Sequence, residues 1–259
     1  MSGVRLDRHG PVATLTLDRP EARNALGLEL IIQLGQLFTA LAADETRVIV
    51  LTGAGSVFCA GADIEWMRRS RELSDQENIA DAAAMRSMLE AMDACPKPVV
   101  ARVNGAALGG GAGLVACADV AVAAESASFG FTEARLGLIP ATVSPYVLRT
   151  VGPGNARALF VTGRRFGAAE ALRVGLVHAV AADGELDDAV TAVVDDLLAC
   201  GPVAIAESKR LVRDATAALA LDDLPVRLAS VRAAPEAQEG LGAFLRKEKP
   251  GWVCRSADF

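Results

Sequence analysis

Apolar and polar positions alternate at the start of the chain. Val4–Arg8 and Val12–Leu17 run at period two on either side of His9-Gly10-Pro11, the pattern of a β-hairpin. From about Leu26 to Ala43 the apolar residues recur at helical spacing. Val48–Thr52 is a continuous apolar run of strand length, closed by Gly53-Ala54-Gly55. A second helical stretch covers about Asn78 to Ala94, where Cys95-Pro96-Lys97-Pro98 stops it. Val99–Val103 predicts another buried strand, the glycine-rich segment Gly105–Gly113 follows, and Val120–Ala123 predicts a third. Strand, loop, helix and strand thus recur at intervals of roughly 50 residues, which implies an α/β core with both strand faces covered.

After about Val180 the strand signals cease. Leu186–Ala199, Pro202–Leu219, Leu221–Ala233 and Pro235–Arg246 read as helices, several with proline in the first turn, where its missing N–H costs nothing. The chain is expected to divide into a core over residues 1–197 and an all-helical segment over 198–259. Apolar residues of that segment (Leu198, Val203, Ile205, Leu211, Val212, Leu219) need a core or a neighbouring subunit to cover them.

Composition narrows the function. With 259 residues, 52% of them hydrophobic and 22% charged, the chain can bury a large core and shows no sign of disorder. A net charge of −6 argues against a nucleic-acid partner, which needs a basic face. A phosphate-bearing ligand would have to be held by local basic side chains or backbone N–H groups. Five cysteines (Cys59, Cys95, Cys117, Cys200, Cys254) are scattered without a CxxC pair, so neither a zinc site nor a disulfide framework is expected. They read as reduced cytoplasmic thiols. His9 and His178 lack motif partners, and no metal is expected. Charges near the N-terminus speak against a signal sequence. The low-polarity stretch Ala106 to Ala124 is broken by Gly109, Gly110, Gly111, Gly113 and Asp119, and reads as a buried helix and strand rather than a membrane span.

The candidate chemistry lies in two glycine-rich segments, each after a buried strand. The first runs from Gly53 to Ile64 and contains Ala60-Gly61-Ala62-Asp63; the second is Asn104-Gly105-Ala106-Ala107-Leu108-Gly109-Gly110-Gly111-Ala112-Gly113. Small residues there let backbone N–H groups approach a ligand, and a helix N-terminus adds unpaired donors and a positive dipole. The glycine spacing does not fit a dinucleotide-binding GxGxxG, no glycine precedes a lysine as in a P-loop, and no GxSxG nucleophile elbow is present.

Together these segments resemble the crotonase (enoyl-CoA hydratase/isomerase) family, in which the first ends Ala-Gly-Ala-Asp and the second reads Asn-Gly-x-x-x-Gly-Gly-Gly. Arg19-Pro20-Glu21-Ala22-Arg23-Asn24-Ala25-Leu26 is similar to the family's early coenzyme-binding turn. Phe129-Gly130-Phe131-Thr132-Glu133-Ala134-Arg135-Leu136-Gly137-Leu138-Ile139-Pro140 is similar to its catalytic-glutamate segment. Further agreement comes from Ala168-Ala169-Glu170-Ala171, Gly175-Leu176-Val177, Glu239-Gly240, Ala243-Phe244-Leu245 and Lys249-Pro250. The resemblance covers essentially the whole chain. It implies an α/β spiral of β-β-α repeats with an all-helical C-terminal oligomerisation segment, and a homotrimer or hexamer.

It also implies roles. The backbone N–H groups of Ala62 and Gly110 would hold the oxygen of an acyl-CoA thioester, and Glu133 would transfer protons at the adjacent carbon. Ala22, Arg23, Ala60, Asp63 and Ile64 would surround the coenzyme's nucleotide, which enters as part of the substrate, so no separate cofactor is expected. The favoured reaction is hydration of a 2-enoyl-CoA to a 3-hydroxyacyl-CoA, with double-bond isomerisation or acyl-CoA binding without turnover as alternatives.

One position departs from the family pattern. Hydratases of this family commonly carry a second glutamate three residues after the oxyanion glycine, and here that residue is Gly113. Nearly one helical turn separates it from Gly110, so Gly113 is expected to leave an open face over the thioester. Either Glu133 manages both proton transfers, or the enzyme is an isomerase, or another group positions water, with Thr142, Ser144 and Tyr146 as candidates. Ala60-Gly61-Ala62-Asp63-Ile64-Glu65-Trp66-Met67, Gly113 and Ser144-Pro145-Tyr146 together resemble bacterial methylglutaconyl-CoA and isohexenylglutaconyl-CoA hydratases, which act on branched, carboxylated substrates.

Overall fold

The computed structural model describes residues 3–216, 224–248 and 250. The chain opens with the expected hairpin: β1 (Val4–His9) pairs antiparallel with β2 (Val12–Leu17), Val4 opposite Leu17, and Gly10 turns between them at φ +55°. Then come α1 (Leu28–Ala42), β3 (Val48–Gly53), β4 (Val57–Cys59), α2 (Ile64–Ser70) and α3 (Asp75–Ala94). β5 (Val99–Val103), β6 (Ala106–Leu108), α4 (Gly110–Cys117), β7 (Val120–Ala124) and β8 (Ser128–Gly130) follow. α5 (Ser144–Thr162), β9 (Arg165–Gly167), α6 (Ala168–Arg173) and β10 (Ala179–Ala181) complete the sheets, before α7 (Leu186–Ala199), α8 (Pro202–Thr216), α9 (Leu224–Ala233) and α10 (Pro235–Leu245).

Two sheets form from alternate strands. The larger has the order β1-β2-β3-β5-β7-β10 and is parallel from β2 onward; the smaller is β4-β6-β8-β9. The chain places one strand in the large sheet, one in the small sheet, then a helix, and repeats: β3-β4-α2/α3, β5-β6-α4, β7-β8-α5. This is the expected β-β-α spiral. Every residue of β3 is buried, as a strand covered on both faces requires. Phe38, Phe58, Phe129 and Phe131 are among the largest fully buried side chains, and Phe129 stacks on Phe166 at 5.9 Å.

The sequence reading missed the three-residue strands of the small sheet and the helices α2 and α5. Three residues are too few to set a period, and α5 is broken by Gly152 (φ +73°) and Pro153. α3 starts three residues before Asn78 because Ser74 and Glu77 form a capping box.

Beyond Ala199 the chain stays attached to the rest of the fold. Leu197, where the sequence reading sets its boundary, lies in the last turn of α7, whose Leu186, Val190 and Val194 are buried in the core. Arg47 donates to the carbonyls of Leu198 and Cys200, and Lys209 on α8 pairs with Asp119 at 2.6 Å. α9 packs on α3, and Gly240 of α10 lies so close to Leu136 that a Cβ there would sit 2.3 Å from its carbonyl oxygen. Val203, Leu211, Val212 and Val226 remain exposed. The expected helix end at Leu219, the start at Leu221, Lys249 of the Lys249-Pro250 pair, and Cys254 lie outside the described residues.

Candidate active site

The two glycine-rich segments meet because β4 and β6 are parallel neighbours, Val57 opposite Ala106 and Cys59 opposite Ala107. Each chain leaves its strand at the same edge and turns through a positive-φ glycine, Gly61 (+94°) and Gly109 (+51°). A Cβ on Gly61 would lie 3.0 Å from the Leu108 carbonyl oxygen, so these turns touch. Ala62 and Gly110 follow directly. Gly110 is the first residue of α4, where N–H groups have no intrahelical acceptor. Leu26 N–H donates to Gly61 O and Asp63 N–H to Leu26 O, which leaves the intervening Ala62 N–H uncommitted. Neither the Ala62 nor the Gly110 N–H finds an acceptor among the described residues. Two such donors side by side can hold an oxygen that gains negative charge.

Glu133 enters from the third turn of the spiral, after β8, at the start of a 3-10 turn (Glu133–Leu136). Its carboxylate lies against the glycine turn: a Cβ on Gly109 would sit 3.2 Å from Oε1. Oε2 is sealed from solvent and has no hydrogen-bond partner among the described residues. Burial raises the pKa from 4.5 to about 7, only partly opposed by the hydrogen bond from the residue's own backbone N–H. Ala62, Gly110 and Glu133 line one cavity of about 100 Å³, together with Leu26, Met85 and Val143. A carboxyl poised near neutrality beside two free N–H groups can take up and return a proton next to a polarised carbonyl.

Asparagines hold the first segment in place. Asn24, fully buried at φ +55°, accepts from Arg19 N–H and donates to the carbonyls of Ala54 and Val57. Asn104 donates to the carbonyls of Gly53 and Gly55 and accepts from Gly53 N–H. The β3–β4 loop is thus clamped from both sides. Neither asparagine was singled out as a site residue, although both stand in the quoted motifs and buried amides are costly unless paired.

Of the residues expected around a nucleotide, Ala22 and Arg23 lie at the end of a 3-10 turn (Pro20–Ala22), and Ala60 N–H donates to the Arg23 carbonyl at 3.0 Å. Arg23 and Ile64 are exposed. Asp63 is different: one carboxylate oxygen caps α2 through the N–H groups of Glu65 and Trp66, and the other pairs with Arg19 at 2.9 Å.

The expectation of an open face at Gly113 is overturned. A Cβ there would lie 2.2 Å from Cγ1 of Val143 and 2.7 Å from its Cβ. Val143, which precedes α5, occupies the space that a larger residue on α4 would need. Among the candidates for positioning water, Ser144 spends its hydroxyl on the Ala141 carbonyl (2.8 Å), and Tyr146 is buried under Arg149. Thr142 lines the cavity. So does Arg232 of α9, which donates to Asp81 (3.0 Å) and Asn78 (3.2 Å) and stands over the Trp66 ring; the sequence carried no signal for it. His178 accepts from Ala121 N–H, a structural role.

Among the described residues no group of three His, Cys, Asp or Glu could hold a metal, and no single helix is long and apolar enough to cross a membrane.

The sequence profile of the family described as enoyl-CoA hydratase/isomerase matches residues 7–255. The chain is 38% identical to the enoyl-CoA hydratase ACTT6 of Alternaria alternata, covering 94% of this chain and 81% of that protein. It is 34% identical to a crotonyl-CoA hydratase of Syntrophomonas wolfei, covering 97% and 98%. Its fold superposes on the crystal structure of an enoyl-CoA hydratase from Shewanella pealeana with a TM-score of 0.81, at 36% identity and 96% coverage of both chains.

Proposed function

Because the chain belongs to the enoyl-CoA hydratase/isomerase family of enzymes, we propose that it adds water across the double bond of a 2-enoyl-CoA, with Ala62 and Gly110 as oxyanion donors and Glu133 as the proton-transferring group. The observation that carries this reading is the juxtaposition in one cavity of two uncommitted N–H groups and a carboxylate, one oxygen of which has no partner among the described residues, with a pKa near 7.

The thioester oxygen sits between the two N–H groups, which polarise the conjugated double bond. Water attacks the β-carbon, its proton passes to Glu133, and the displaced electron pair moves through the α-carbon onto the held oxygen. The enolate collapses as Glu133 returns the proton to the α-carbon. Each oxyanion donor contributes roughly 2.7–4 kcal/mol to the barrier reduction. The coenzyme's nucleotide lies along Ala22, Arg23, Ala60 and Ile64, with Asp63 holding that wall through Arg19 and the α2 cap. No other cofactor takes part.

Arg232 favours a refinement of the substrate. A guanidinium has five N–H donors, and among the described residues one terminal nitrogen of Arg232 is engaged, by Asp81 and Asn78. An acyl group ending in a carboxylate would meet the others. Exposed Val203, Leu211, Val212 and Val226 support a homotrimer or hexamer, to be checked by sedimentation.

Product analysis tests the reaction. Crotonyl-CoA, a 3-enoyl-CoA and methylglutaconyl-CoA are each incubated with the enzyme and the products separated. A 3-hydroxyacyl-CoA from the 2-enoyl substrates is the expected result. Double-bond migration alone would replace hydration by isomerisation, and unchanged substrates would leave binding without turnover.

A further inference from the structure

Hydration needs a water held at a fixed angle to the double bond, and one carboxylate oxygen does not fix an angle. The cavity offers a second group. Thr142 is buried at 7% exposure and lines the same space as Glu133. It stands one residue before Val143, the N-cap of α5, and is not drawn into capping that helix; the neighbouring Ser144 turns back to the Ala141 carbonyl. The Thr142 hydroxyl has no hydrogen-bond partner among the described residues.

Glu133 and Thr142 therefore border one small cavity, and neither Glu133 Oε2 nor Thr142 Oγ1 has a hydrogen-bond partner among the described residues. Buried polar groups are seldom left unmatched, and a buried water needs two to four polar partners. The side from which position 113 could have supplied another carboxylate is closed by the methyl groups of Val143.

We infer that Thr142 is a positioning residue for the attacking water, which donates one hydrogen to the Glu133 carboxylate and the other to Thr142 Oγ1. That leaves an oxygen lone pair free to face the β-carbon. As the O–Cβ bond forms, the O–H bond directed at Glu133 breaks and its proton goes to the carboxylate. The O–H bond directed at Thr142 survives as the hydroxyl of the product, and Thr142 keeps its own proton. The inference rests on the hydratase reading above.

The test compares Thr142→Val, which keeps the shape and removes the hydroxyl, with Thr142→Ser, which keeps the hydroxyl. Three quantities are measured: kcat and KM for crotonyl-CoA hydration, exchange of the α-proton of butyryl-CoA with deuterated solvent, and thermal stability. The exchange uses Glu133 and the oxyanion donors but adds no water. For Thr142→Val, kcat for hydration is expected to fall about 10- to 100-fold, the size of a misplaced reactant. KM and exchange should stay within about threefold, and Thr142→Ser should recover most of the rate. Equal loss of hydration and exchange, or loss explained by unfolding, would assign Thr142 to packing and overturn the inference. Hydration unchanged in Thr142→Val would overturn it while sparing the hydratase reading. A wild-type enzyme that hydrates none of the 2-enoyl substrates would remove both.

Discussion

Two buried carboxylates flank the wall of the cavity, and they are treated in opposite ways. Asp81 on α3 is saturated: Oδ1 accepts from the Trp66 indole at 2.7 Å and lies 3.7 Å from Arg69, while Oδ2 accepts from Arg232 at 3.0 Å. Glu133 has one oxygen with no partner and is pushed toward neutrality by burial. Asp81 joins α2, α3 and α9, so its charge is spent on holding the C-terminal helices against the cavity. The fold leaves the charge of Glu133 uncommitted. A buried polar group that the fold has not satisfied is a stronger mark of function than burial or charge alone.

The largest effect should come from removing the unsatisfied carboxylate's chemistry. Glu133→Gln keeps the shape and cannot take up a proton. Hydration should fall by at least about a thousandfold, roughly 4 kcal/mol of transition-state stabilisation. Affinity for a saturated acyl-CoA, measured by calorimetry, should stay within several-fold. Near-wild-type turnover would erase the distinction between the two carboxylates.

Asp81→Asn probes the other half. It leaves Arg232 as a buried cation without its counter-charge, which is costlier than losing the pair as a whole. Stability should drop by about 3 kcal/mol in denaturant titration, with α9 loosened from α3. Because α9 also carries a cavity-lining side chain, acyl-CoA binding should weaken with it. A variant as stable as wild type would show that the ion pair does not secure the helix.

The difference between these regions was unevenly legible in the sequence. That Ala62, Gly110 and Glu133 share one cavity was legible because each sits in a contiguous motif at a strand end, and the spiral brings consecutive strand ends together. Arg232 was not: it lies 151 residues from Asp81 along the chain, and a lone arginine on a helix gives no sign of facing inward. Gly113 was misread for the same reason. One helical turn from Gly110 correctly puts it on the same helix, but whether its face is open depends on Val143, which arrives from the loop before α5. A glutamate placed at 113 by itself would collide with those methyl groups. The helical periodicity of the C-terminal third was readable; its contacts with the core were carried by single long side chains, Arg47 and Lys209, that leave no period.

The smallest effect is the pH dependence that Glu133 alone brings to stability. In the unfolded chain Glu133 titrates near its ordinary 4.5, and in the fold near 7. The folded state thus holds the proton more tightly than the unfolded state. Its contribution favours the fold below about pH 4.5, declines as pH rises from there, and is fully lost above about pH 7. At higher pH the enzyme carries a desolvated anion, a cost of roughly 3 kcal/mol. Glu133→Gln removes that titration. In denaturant titrations at about pH 5 and pH 8, the variant's stability relative to wild type should therefore improve by about 2–3 kcal/mol from the lower to the higher pH. Other titrating groups are common to both proteins and cancel in this difference. If the Glu133→Gln difference is the same at both pH values, a water or another partner already satisfies Oε2 in the resting enzyme. The two carboxylates would then differ in chemistry without differing in strain.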